Sequence, residues 1–139
     1  MPGLVIDASV VLAVMLPDEI DVYANNAMEA VTRFGAHAPV HWPLEVANGL
    51  LMAERRKRIT QVIRRKSLED ARALPVEIDS ETGEAAWSET SDLAAKYKLS
   101  IYDAAYLELA RRHSLPIATL DDELKIAAAS ERVTIFGEA

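Results

Sequence analysis

Short apolar segments alternate with longer helical patterns along this chain, and no hairpin signal joins any two of the apolar segments. The predicted strands cover residues 4–6, 38–40, 76–78, 117–120 and 133–136. Strands that are separated by helices run parallel, because each helix carries the chain back across the sheet. The alternation therefore predicts an α/β sandwich around a mostly parallel central sheet.

Helices are predicted between these strands from apolar spacing, capping residues and prolines. They cover residues 10–16, 21–34, a segment opened by Pro43, and residues 59–74, 81–97, 100–113 and 121–130. Neither an internal repeat nor a linker interrupts the pattern. A chain of 139 residues also has the length of one domain. We therefore expect a single domain over residues 1–139.

Composition excludes several classes of function. The chain has no cysteine, which excludes disulfides, thiolate zinc sites and a cysteine nucleophile. The apolar run 10–16 is too short to span a bilayer and follows no basic segment, so we expect a cytoplasmic protein without a membrane partner. A net charge of −7 argues against nucleic-acid binding by bulk charge.

Four acidic residues lie where the apolar pattern points toward the interior. They follow a strand or open a helix, and they are Asp7, Glu45, Asp103 and Asp121. In an open α/β sheet, the carboxyl ends of the strands and the neighbouring helix starts face one crevice. We therefore expect the four carboxylates to converge.

Each of these acids also has a purely structural interpretation. Asp7 and Asp121 could cap the helices that follow them, and Glu45 suits the first turn of a helix on dipole grounds. Ser100 and Asp103 fit a capping box. These interpretations do not explain four acids at one edge of a sheet, where their repulsion costs stability unless cations neutralise it.

The ligand types select the cation. Carboxylates without cysteine or a well-placed histidine favour Mg²⁺ or Mn²⁺ over zinc, and such ions commonly also bind a phosphate oxygen. The implied chemistry is phosphodiester hydrolysis. His37, His41 and His113 lie outside the four acidic segments, and we expect them to be structural.

Four segments carry a resemblance to a known family. In order, they are VIDASVVLAVML (5–16), PLEVANGLL (43–51), SIYDAAYLELARR (100–112) and IATLDDELKIAA (117–128). Together they resemble the PIN-domain ribonucleases, and among these the VapC-type toxins of toxin–antitoxin pairs. The resemblance implies a PIN-like three-layer sandwich over nearly the whole chain.

The resemblance also implies roles for individual residues. The four acids would bind the metal, and the hydroxyls of Ser9 and Thr119 would orient a carboxylate or a water molecule. The family's T-x-D pattern selects Asp121, although Asp122 is an adjacent alternative. Asn48 could donate a hydrogen bond to Glu45 or simply be exposed.

The implied activity is that of an Mg²⁺- or Mn²⁺-dependent endoribonuclease whose products carry a 5′-phosphate and a 3′-hydroxyl. Toxins of this type are similar in forming homodimers and in being silenced by an antitoxin that covers the cleft. For this chain we expect the helices at 23–34 and 81–97 to contribute to the dimer. The alternative is a catalytically silent PIN-like module that binds RNA or a protein.

A basic stretch offsets the acidic net charge locally. Residues 54–66 include seven of the chain's 15 basic residues and only one acidic residue. We expect Arg55, Arg56, Arg64 and Arg65 to bind RNA phosphates, and a solvated helix surface is the alternative. The stretch contains no aromatic residue, so it gives no indication of base stacking.

Overall fold

A four-stranded parallel sheet forms the centre of the computed structural model, which describes residues 3–17 and 20–138. Its strands are β1 (Leu4–Ile6), β2 (Ala36–Ala38), β3 (Val76–Ile78) and β4 (Ile117–Ala118). The sheet order is β3-β2-β1-β4, and every pairing is parallel. Val5 of the central β1 pairs with His37 on one side and Ile117 on the other. The predicted α/β fold is confirmed.

Helices flank this sheet. They are α1 (Ala8–Met15), α2 (Val22–Phe34), α3 (Trp42–Arg55), α4 (Gln61–Arg72), α5 (Thr82–Ala85), α6 (Glu89–Tyr97), α7 (Ile101–His113) and α8 (Asp122–Ser130). Among the described residues, no helix is both long and apolar enough to cross a membrane.

Local chemistry fixes many of the helix ends. The side chains of Asp21, Thr60 and Ser100 each accept a hydrogen bond from a backbone amide in the first turn of the following helix. Gly35 ends α2 with a φ of +80°, a conformation that costs glycine little, and its amide bonds to the carbonyl of Val31.

Three predicted elements differ from the structure. The helix at 81–97 is broken, because the amides of Trp87 and Ser88 bond three residues back, which tightens and ends α5 before α6 begins. The strand at 133–136 is reduced to one isolated bridge between Ile117 and Ile135. The second strand lies at residues 36–38 rather than 38–40, because Gly35 ends α2 directly before it.

The packing brings the strand ends and helix starts together. Every residue of β1 is buried, and α1 begins one residue after it, which leaves Asp7 at the junction. Helix α3 packs on α1, and α7 packs on β1 and β4. A Cβ atom on Gly49 would lie 2.4 Å from the Leu12 side chain, so the missing side chain permits the close approach of α3 to α1.

Candidate functional site

Asp7 lies at the carboxyl end of the central strand and is buried. Its Oδ2 atom accepts two hydrogen bonds of 2.7 Å, from the hydroxyls of Ser9 and Thr119. Although Asp7 stands at the N-cap position of α1, its side chain makes no capping bond. The structural interpretation of this acid as a helix cap is therefore wrong.

The two hydroxyls also bind the segment that follows β4. Ser9 Oγ accepts a bond of 3.1 Å from the amide of Leu120, and Thr119 Oγ1 accepts one of 3.1 Å from the amide of Asp121. Each hydroxyl thus uses its hydrogen for Asp7 and a lone pair for the backbone. The end of β1 is fixed to the end of β4 through this carboxylate.

Glu45 lies in the first turn of α3, as expected, and its main partner comes from another helix. The hydroxyl of Tyr106, in α7, donates a 2.6 Å hydrogen bond to Glu45 Oε1. Tyr106 is fully buried, and burial together with the negative charges of Asp7 and Glu45 raises its pKa well above the usual range. The phenol therefore stays protonated as a donor. Asn48 is exposed and makes no bond to Glu45.

His41, for which we expected a structural role, contacts the same group. Its Nε2 atom is 3.0 Å from the carbonyl of Tyr102 and 3.7 Å from Glu45 Oε1. The imidazole packs edge to face with the rings of Tyr102 and Tyr106. It therefore connects the start of α3 to the start of α7.

Asp121 does cap its helix. Its Oδ1 atom accepts bonds of 2.9 Å and 3.2 Å from the amides of Glu123 and Leu124. Asp122 is exposed in the first turn of α8. The capping role therefore belongs to the acid that the T-x-D pattern selects.

Asp103 shows half of the expected capping box. Its amide donates a 3.0 Å bond to Ser100 Oγ. Among the hydrogen bonds of the described residues there is no return bond from the amide of Ser100 to the Asp103 carboxylate. The carboxylate is half-buried at the start of α7.

Asp7 lies within electrostatic range of the other three carboxylates. Burial raises the pKa of Asp7, and the charges of Glu45 and Asp121 raise it further. Burial likewise raises the pKa of Asp103, to which Asp7 and Asp121 contribute. Acids from four separate segments thus interact electrostatically, and their mutual repulsion favours a bound cation. Within residues 3–17 and 20–138, however, no three of these four acids bring ligand atoms within 4.8 Å of one another.

The free oxygens of this group suit a hard divalent cation. Asp7, Glu45 and Asp121 each use one carboxylate oxygen for hydrogen bonds to the protein. Within residues 3–17 and 20–138, their other oxygens accept no hydrogen bond. Fixed carboxylates with a free oxygen are the ligands that Mg²⁺ and Mn²⁺ prefer.

A second cluster lies at the carboxyl end of β3. Asp79, Glu81 and His113 bring one ligand atom each within 4.8 Å of one another, which is compatible with a metal ion. However, Nη1 of Arg112 lies 3.1 Å from Asp79 Oδ1, 3.1 Å from Glu81 Oε2 and 3.2 Å from His113 Nε2. The guanidinium already supplies the positive charge, and this arrangement indicates a structural ion-pair cluster.

The basic stretch lies at the far end of α3 from Glu45. Arg55 is the last residue of α3, ten positions beyond Glu45, which corresponds to about 15 Å along the helix. Arg64 forms an ion pair with Glu54. Arg55, Arg56 and Arg65 are exposed and form no ion pair with the part of the chain that the structure describes.

Sequence reasoning missed three residues of these clusters. Nothing in the sequence near Tyr106 reveals that its hydroxyl donates to Glu45. His41 precedes Glu45 by four positions, a spacing that places both on one helix face and could have indicated their contact. Arg112 follows Glu108 by four positions, which predicts that pair, but its contact with Asp79 depends on the tertiary fold.

Comparison with known proteins agrees with this architecture. The PIN domain family model matches residues 4–130. The crystal structure of PAE2754 from Pyrobaculum aerophilum is similar in fold, with a TM-score of 0.68 and 20% sequence identity over 99% of this chain and 87% of that one. A search of curated proteins gave no match. The chain belongs to the PIN domain family, whose members are generally nucleases.

Proposed function

We propose that this PIN domain, spanning residues 1–139, is an Mg²⁺- or Mn²⁺-dependent endoribonuclease and the VapC-type toxin of a cytoplasmic toxin–antitoxin pair. One observation supports the nuclease most directly. Asp7, Glu45 and Asp121 each have one carboxylate oxygen held by a hydrogen bond from the protein and the other free of one, and the charges of Glu45 and Asp121 both act on Asp7. Asp103 completes the group through its electrostatic contact with Asp7 and Asp121.

The chain's own residues would prepare the site for the cation. Asp7, Glu45, Asp103 and Asp121 would hold it, and when bound it supplies Lewis-acid activation of water and neutralises charge on the phosphodiester. The hydroxyls of Ser9 and Thr119 hold the Asp7 carboxylate in one orientation. Such fixed ligands need no rearrangement when substrate arrives.

The hydrogen bond from Tyr106 fixes Glu45 in the same way. The phenol donates to Oε1 only, so Oε2 stays directed away from that bond. His41 supports this corner of the site through the carbonyl of Tyr102. We propose that Tyr106 and His41 are positioning residues, since both act through Glu45 or the start of α7.

Binding of the RNA strand would begin at the basic stretch. Arg55, Arg56 and Arg65 are exposed there, and Arg55 lies about 15 Å along α3 from Glu45, a distance spanned by several nucleotides. Arg64 would contribute less than its neighbours, because Glu54 already pairs with its guanidinium. An antitoxin protein would silence the enzyme by covering the cleft.

The proposed function is tested by incubating the pure protein with assorted structured RNAs and Mg²⁺ or Mn²⁺, followed by end mapping of the products. We expect cleavage that leaves a 5′-phosphate and a 3′-hydroxyl, and none after Asp7→Asn. Products ending in a 2′,3′-cyclic phosphate would contradict the metal mechanism. Folded wild-type protein that binds RNA without cutting it would establish the silent binding module instead.

A further inference from the structure

Tyr102 is a large aromatic residue at the edge of the acidic cleft, and 63% of its surface is exposed. It directly precedes Asp103 at the start of α7. Beside four carboxylates, a phenol is a weak ligand for a hard divalent cation, so cation binding does not explain this tyrosine. It also contributes little to the core, since neighbouring residues cover only a minor part of it.

The Tyr102 ring is held by contacts with His41. The centroids of the two rings are 5.4 Å apart and their planes are at 72°, which is an edge-to-face contact. The Nε2 atom of His41 also lies 3.0 Å from the Tyr102 carbonyl, which fixes the backbone that carries the ring. A ring held in this way loses little conformational entropy when a ligand stacks on its exposed surface.

The cleft needs a contact of this type. A single strand of RNA that passes four carboxylates is repelled through its phosphates, and the basic stretch contains no aromatic residue to hold a base. Stacking on an aromatic ring is worth roughly 1–3 kcal/mol per base and needs no positive charge. It also requires an unpaired base, because bases within a duplex are already stacked.

We propose that Tyr102 is a binding residue of this site and that its ring stacks on one unpaired base next to the scissile phosphate. This inference rests on the proposed ribonuclease function for the identity of the ligand. It adds a base contact by a named side chain to the phosphate contacts already proposed. His41 holds the Tyr102 ring in place through its contacts with the ring and with the Tyr102 carbonyl.

The experiment compares Tyr102→Ala and Tyr102→Phe with the wild type in binding a fluorescent RNA, either as a single strand or annealed to its complement, in EDTA. Phe34→Ala is the matched control. Phe34 is an exposed aromatic residue that precedes β2 and therefore lies at the opposite end of the sheet from the cleft. Cleavage rates are then measured in Mn²⁺, and thermal melting checks the fold of each variant.

We expect Tyr102→Ala to weaken binding of the single strand by roughly 5- to 100-fold and to lower cleavage in parallel. Tyr102→Phe and Phe34→Ala should stay within about twofold of the wild type. Equal binding by Tyr102→Ala, or loss of binding in Tyr102→Phe, would overturn the stacking role while cleavage by the wild type upholds the ribonuclease. A wild type that binds through Tyr102 without cutting would overturn only the ribonuclease, and one that neither binds nor cuts RNA would overturn both.

Discussion

The hydroxyl of Thr119 donates a 2.7 Å hydrogen bond to Oδ2 of Asp7, a residue 112 positions earlier in the chain. Both residues are buried. The same Thr119 oxygen accepts the amide of Asp121. One side chain thus joins two of the proposed metal ligands and sets their relative positions.

Removing this hydroxyl should cost both stability and activity. Thr119→Val keeps the shape but leaves the Asp121 amide and the Asp7 carboxylate each short of a partner. We expect the free energy of unfolding to fall by about 1–3 kcal/mol and RNA cleavage to drop with it. Chemical denaturation and initial rates measure the two effects.

The matched control is Thr32→Val, because Thr32 donates its hydroxyl to the Met28 carbonyl on an exposed helix surface. That variant should stay within about 0.5 kcal/mol of the wild type and cut RNA normally. A Thr119→Val protein with the stability and cleavage rate of the wild type would show that the Thr119 hydroxyl does not position Asp7 or Asp121.

Arg112 should matter for stability rather than for catalysis. Its guanidinium pairs with Glu108 and Asp79, whose side chains are only 4% and 8% exposed. Arg112→Met would leave both carboxylates buried and unpaired. Because Arg112 itself is about one-fifth exposed, we expect a loss near the lower end of the range for buried pairs, about 3 kcal/mol.

The Arg112 effect should depend on pH. The hydrogen bonds from Arg112 hold the pKa of Asp79 below its ordinary value of 3.8. The resulting stability is present above pH 3.8 and is lost as the pH falls through the lowered pKa. The difference between wild type and Arg112→Met should therefore be largest near pH 7 and shrink below pH 4. Arg111 is more exposed than Arg112 and pairs with Glu131. Arg111→Met should therefore lower the free energy of unfolding by less than about 1 kcal/mol at any pH.

If the basic stretch binds RNA phosphates, it should contribute to the salt dependence of RNA binding. Each phosphate contact of a single strand contributes about 0.7 to the slope of log affinity against log salt concentration. Replacing Arg55, Arg56 and Arg65 by Gln should therefore lower the slope by about 2. Adding Arg64→Gln should change it little, since that guanidinium is paired with Glu54. An unchanged slope in the triple variant would leave the stretch as a solvated surface.

The parallel sheet, and the position of Asp7 at the end of one of its strands, were predictable because the sequence patterns that indicate them are local. A β-branched apolar triplet that ends at Asp7 needs no distant information to indicate a buried strand. The break of the helix at 81–97 was not predictable in this way. Residues 86–88 include neither glycine nor proline, and only the backbone bonds of Trp87 and Ser88 show where α5 ends.

Contacts between distant segments account for what the sequence could not supply at the site. The hydroxyl of Tyr106 meets Glu45 across 61 positions, and the guanidinium of Arg112 meets Asp79 across 33. The sequence indicated that Asp7 would follow a buried strand and that Glu45 would lie in the first turn of a helix, and both positions are confirmed. It could not indicate which hydroxyls and amides would hold them there.

The expected homodimer through the helices at 23–34 and 81–97 can use only the residues of these helices that the core leaves exposed. In α2, Ala27 and Val31 are buried within the chain itself, as is Leu93 in α6. We still predict a dimer, from the resemblance to paired toxins. The mass in solution at micromolar concentration, measured by sedimentation, should be about twice 15.3 kDa. A mass of one chain would contradict the prediction.

The central claim is that four carboxylates form one metal centre, and Asp103→Asn tests it most directly. Burial and the charges of Asp7 and Asp121 raise the pKa of Asp103, so its ionised form costs stability at neutral pH. The metal-free variant should therefore be at least as stable as the wild type. Asp122→Asn is the control, because Asp122 is exposed beside Asp121.

The measurement is thermal melting with and without Mn²⁺, together with RNA cleavage by the same samples. At about ten times its dissociation constant, Mn²⁺ should stabilise the wild type and Asp122→Asn by roughly 1.4 kcal/mol, a few degrees in melting temperature. Asp103→Asn should show a smaller shift and no cleavage. An Asp103→Asn protein that keeps the full Mn²⁺ shift and cuts RNA at the wild-type rate would contradict the proposed metal centre.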